Sequence, residues 1–120
     1  MNAITNKEEL LEAVKNDIWA LEYASEELKD NKEVVLKSVK NDGFTLVFAS
    51  DRLRDDKELV LIAIKNDCYA LGWASKRLRD DREFILEAVK NYGCNLKFAS
   101  KRLRNDKEFL KEIENIKNGR

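Results

Sequence analysis

The strings "FASDRLRDD", "WASKRLRDD" and "FASKRLRND" begin at Phe48, Trp73 and Phe98, 25 residues apart each time. A fixed interval restricts the fold more than any other feature here. Tandem copies with periods of about 20–50 residues build repeat architectures, in which each unit completes its core only against its neighbours. Aligned on Asn16, Asn41, Asn66 and Asn91, four copies run without a gap, over 16–40, 41–65, 66–90 and 91–115. A half copy over 5–15 ("TNKEELLEAVK") precedes them. Residues 1–120 thus read as a single repeat domain with no linker.

Each copy reads as two helices. The second is expected to start at Asp30, Asp55, Asp80 and Asn105, with Thr5 in the half copy. Three residues on stand Glu33, Glu58, Glu83, Glu108 and Glu8, the spacing of a capping box. Asn-Asp closes that helix and opens the next, with Gly43 and Gly93 giving a permissive backbone at the junction. At 100° per residue, Leu46, Ala49 and Leu53 share one flank of the first helix, and Leu71, Ala74 and Leu78 share the equivalent flank. Phe44 with Phe48, and Tyr69 with Trp73, fall opposite and are expected to wedge against the next unit's leucines.

In "KELVLIAIK" the apolar residues wrap most of the wheel, leaving Glu58, Ile62 and Lys65 outward, as in an inner helix. "KEFLKEIENIKN" keeps one stripe, Phe109, Leu110, Ile113 and Ile116, and reads as a C-terminal cap. The expected fold is all-α: an α-solenoid of tandem 25-residue helix-turn-helix repeats with about nine short helices, right-handed by analogy with other solenoids.

The pattern of "AVK", the Ala-Ser pairs at 24–25, 49–50, 74–75 and 99–100, and the "LRDD" segments resembles the tandem helical repeat of the domain-of-unknown-function 4116 family. The resemblance covers residues 7 to about 110. It implies helical repeats and protein contact, and it carries over no catalytic residue. Lys111 and Glu114 depart from the pattern, in keeping with a capping unit.

Composition narrows the chemistry. There is no His, so the serines lack a base, and four equivalent nucleophiles serve no mechanism. Ser25, Ser50, Ser75 and Ser100 are therefore read as small residues that let helices approach. Cys68 and Cys94 form no Cys-x-x-Cys pair and read as free, half-buried thiols; no metal or cofactor is expected. The longest apolar run, Leu59 to Ile64, is far short of the roughly 18 residues that span a bilayer, and the N-terminus shows no signal-peptide pattern. A cytoplasmic setting without membrane contact is the expectation.

Lys and Arg number 23, as do Asp and Glu, so the net charge is zero. The arginine ladder, Arg52, Arg54, Arg77, Arg79, Arg102 and Arg104, is arranged to follow phosphates, but Asp55, Asp56, Asp80, Asp81 and Asp106 stand beside it. Pairing along the turns and the zero balance argue against nucleic acid. Charge still drifts, from net −2 over residues 16–40 to net +2 over 91–115, which can steer a partner or favour weak head-to-tail self-association of a monomer.

Slots that vary between copies mark surface freed from packing: Glu22, Val47, Gly72 and Lys97 in one, Glu26, Asp51, Lys76 and Lys101 in another. The candidate partner-binding residues are Val47, Asp51, Lys76, Lys97 and Lys101, with Arg54, Arg79 and Arg104 from the ladder. The expected function is a non-enzymatic protein-binding or scaffold module whose partner is an unidentified protein. Its alternatives are a small phage- or mobile-element-encoded inhibitor that occludes a host nuclease, suggested by size alone, and nucleic-acid binding through the ladder.

Overall fold

A computed structural model describes residues 3–119. The described chain is all-helical. Its α-helices are α1 (Lys7–Ala13), α2 (Glu26–Lys29), α3 (Lys32–Asn41), α4 (Asp51–Arg54), α5 (Lys57–Asn66), α6 (Lys76–Arg79), α7 (Arg82–Tyr92), α8 (Lys101–Arg104) and α9 (Lys107–Lys117). Four 3-10 segments, Ala20–Tyr23, Gly43–Phe48, Cys68–Trp73 and Leu96–Phe98, each precede a four-residue helix. A parallel bridge pairs Ile4 with Ala24.

The long helices pack in sequence order, α1 on α3, α3 on α5, α5 on α7 and α7 on α9. The molecule is accordingly elongated, 49 × 23 × 19 Å, with a radius of gyration of 15.7 Å. A compact chain of this length would give about 13.6 Å. The core is one row of apolar residues: Val34, Val35 and Val39 of α3, then Leu59, Val60, Ala63 and Ile64 of α5, then Phe84, Ile85, Ala88 and Val89 of α7. Leu46, Ala49 and Leu53, with Leu71, Ala74 and Leu78, are buried as the wheel predicts.

Several expectations need correction. The long helices start one residue later than the sequence suggests, capped by Asn6, Asn31, Asp56, Asp81 and Asp106, whose side chains accept from the third amide onward. The segment read as each unit's first helix is broken at the Ala-Ser pair. Ala49 and Ser50 are extended (ψ 159° and 160°), so a 3-10 turn and a short α-turn replace one α-helix. The serines are therefore more than small residues: Ser25, Ser50, Ser75 and Ser100 cap α2, α4, α6 and α8.

The cysteines are not free thiols. Cys68 and Cys94 form a disulfide across units three and four, with Cα atoms 5.3 Å apart. They come together because residues one period apart lie side by side, and their Cα separation is in the bridging range.

Of the two glycines expected to give a permissive backbone at the junctions, only Gly93 uses it. Gly93 takes the left-handed conformation (φ 66°) and stops α7. Gly43 has negative φ; it is required because a Cβ there would collide with the Ala63 carbonyl.

Candidate functional site

The joints between units account for most of the conspicuous polar residues. Asp30 does not open α3. It accepts from Ser50 Oγ at 2.6 Å and from Arg52 Nε at 2.9 Å, both in the next unit, while Arg52 also donates to the Asp30 carbonyl. The next two joints repeat this with Ser75 and Arg77 on Asp55 and with Ser100 and Arg102 on Asp80. Backbone bonds run alongside, from Ser50, Ser75 and Ser100 amides to the Lys29, Arg54 and Arg79 carbonyls at 2.8–3.0 Å. Arg52, Arg77 and Arg102 of the ladder thus pair with the preceding unit's aspartate, not with the acid beside them on the turn.

Arg54 and Arg79 reach the other way. Their Nε atoms donate to the Trp73 and Phe98 carbonyls at 2.7 and 2.8 Å. A second series ties the opposite ends of the units: Lys7 to Glu33, Lys32 to Asp56 and Glu58, and Lys57 to Asp81, at 2.7–3.3 Å. Exposed pairs contribute about 1 kcal/mol at most, so these contacts set register more than stability.

The Ser50 hydroxyl and then Arg52 hold the Asp30 carboxyl below the ordinary carboxylate range; Ser75 and Arg77 do the same for Asp55, and Ser100 and Arg102 for Asp80. A lowered folded-state pKa gives stability that is present above the unfolded value, near 3.9, and is lost as pH falls through the folded one. Stability from urea unfolding should therefore fall as the pH drops below the unfolded value of about 3.9. Ser75→Ala should lose the cap, costing about 0.5–2 kcal/mol, and move the Asp55 titration toward its ordinary value in an NMR pH series. An unmoved Asp55 would mean that the inter-unit bond is not made in solution.

One face carries exposed aromatic side chains. Trp19, Tyr23, Tyr69 and Trp73 are 47%, 46%, 68% and 37% exposed. This corrects the expectation that the aromatics are wedged against leucines; Trp19, Tyr69 and Trp73 pack against phenylalanine rings of neighbouring units instead. Trp19 meets Phe44 and Phe48, each with ring centres 5.9 Å apart, and Phe44 meets Trp73 at 6.4 Å, so one row crosses three units. Tyr69 meets Phe98 at 5.8 Å, and Lys97 Nζ stands 5.4 and 5.2 Å from their ring centres. The Phe98 ring lies over Gly72, where a Cβ would come within 3.2 Å of it. The variable slot of Val47, Gly72 and Lys97 therefore runs through the aromatic row, with Val47 half-buried, not outward.

The other candidates lie on the adjoining edge. Asp51, Lys76 and Lys101 are exposed first residues of α4, α6 and α8. Lys76, Arg79, Lys101 and Arg104 line one open cleft of about 510 Å³ together with Arg77 and Asp80. Arg54 stands apart, engaged at the preceding joint. Sequence reasoning missed Trp19, Tyr23, Tyr69 and Trp73 as surface residues, since wheel positions opposite a buried flank look alike whether covered or bare.

The model of the family described as Domain of unknown function (DUF4116) matches residues 6–50, 31–79 and 81–119. The chain belongs to this family, in tandem copies. No curated protein and no solved structure matches it. Among the described residues, no helix is long and apolar enough to cross a membrane.

Proposed function

We propose that the protein is a non-enzymatic binding module: an α-solenoid of 25-residue units that docks another protein on its aromatic face. The observation that carries this reading is the four exposed aromatic side chains held in two recurring slots on one side of the units. Large aromatics presented by a rigid backbone are the residues that dominate protein interfaces. The recurrent polar groups support the non-enzymatic half of the reading, because Ser50, Ser75, Ser100 and their aspartate partners are occupied in capping and joining units.

The test is capture on the immobilised protein, followed by calorimetry with the purified partner. Tyr69→Ala/Trp73→Ala should keep the helical spectrum and weaken binding by at least about 2 kcal/mol, near thirtyfold. Unchanged affinity for the captured partner would reject this face.

A further inference from the structure

The cleft between units three and four has a charge that the fold does not require. Lys76, Arg77, Arg79, Lys101 and Arg104 line it with one carboxylate, Asp80, which is paired with Arg102, while Arg77 is paired with Asp55. The equivalent positions one unit earlier are Asp51, Arg52, Arg54, Asp55, Lys76 and Arg79; two units earlier they are Glu26, Glu27, Lys29, Asp30, Asp51 and Arg54. The same groove therefore runs from net −2 through +2 to +4 along the molecule. Packing is indifferent to this change, since α2, α4, α6 and α8 are capped alike.

Local energetics oppose it. A helix start carries free amides and favours Glu or Asp, as at Glu26 and Asp51, yet Lys76 and Lys101 stand there in the last two units. Arg77 and Arg79 are held by Asp55 and the Phe98 carbonyl, which fixes two of the charges in place. The cleft also adjoins the aromatic row, for Phe98 and Ala99 are consecutive.

We infer that this cleft binds an acidic protein segment, a run of Asp or Glu side chains, which lies along the groove with its acidic end at units three and four. The reversal of sign is what favours a peptide over nucleic acid. A phosphate backbone carries charge at every step and would meet Glu26, Glu27 and Asp51 as it followed the groove, whereas a short acidic run needs only one joint. The inference rests on the protein-binding reading for the class of its ligand.

A fluorescein-labelled hexaglutamate peptide provides the probe, followed by fluorescence anisotropy at about 50 mM salt, where screening is weak. Saturable binding is expected, weakened about tenfold or more by Lys76→Glu/Lys101→Glu. That variant places at these slots the acidic type found in the first two units, so it keeps the fold. Lys40→Glu/Lys65→Glu, with the same charge change on exposed residues of α3 and α5, should leave the affinity within about twofold. Equal losses in both variants, or no saturable binding, overturn the proposal. So does an oligothymidylate that competes at equal or lower concentration, which would assign the cleft to nucleic acid. The assay uses no partner and touches no aromatic residue, so its failure leaves the aromatic-face reading standing.

Discussion

Leu71→Ala lowers the free energy of unfolding by about 2–5 kcal/mol. Leu71 is 1% exposed and lies in the slot of Leu21 and Leu46, both fully buried. Removing its three outer carbons loses their transfer energy and leaves a void that neighbours in two units cannot close. The informative control is Leu96, the same slot in the last copy, where the 3-10 segment is shortened to Leu96–Phe98 and the leucine is only half-buried. Leu96→Ala should cost clearly less in the same urea titration. A Leu71 loss under about 1 kcal/mol, or equal losses at both sites, would mean that the interior row does not pack as described.

Reduction of the Cys68–Cys94 bridge should cost about 3.5 kcal/mol. The bridge spans 26 residues, and closing a loop of that length removes this much chain entropy from the unfolded state. Urea unfolding with and without a phosphine reductant reads the difference, and Cys68→Ser/Cys94→Ser should reproduce it. A thiol titration of the denatured, unreduced protein should find no free thiol; two thiols per chain would show that the bridge does not form. The aromatic contact of Tyr69 with Phe98 lies beside the bridge, so its exposure should rise on reduction even where the chain stays folded.

The long helices and the buried leucines were legible because their signals are local and repeated five times. The cap positions were not, for a physical reason. Where Asp55 and Asp56 adjoin, either carboxylate can cap, and local pattern cannot choose between them. The choice is made by Ser75 and Arg77, 20 and 22 residues onward, which claim Asp55 and leave Asp56 for the Leu59 amide. The break at Ala49 and Ser50 had a readable sign, a serine followed by an acid ahead of a leucine, but a strict 100° wheel passes over it. The cysteines show the opposite case: their spacing of one period plus one residue already places them side by side. What remained hidden was which aromatics stay bare, because exposure depends on how far neighbouring rings tilt over one another. The candidate residues divide along the same line, with Lys76, Arg79, Lys101 and Arg104 gathered in one cleft and Arg54 spent on a joint.

Each joint between full units is closed by groups from two neighbours: a carboxylate on one side, a hydroxyl and a guanidinium on the other. Duplicating or excising one block of 25 residues would leave the surviving joints satisfied, so such a lineage can change its reach by gene recombination without redesigning its interior. Selection would then act chiefly on the outward slots, which tolerate glutamate, aspartate or lysine on an unchanged frame.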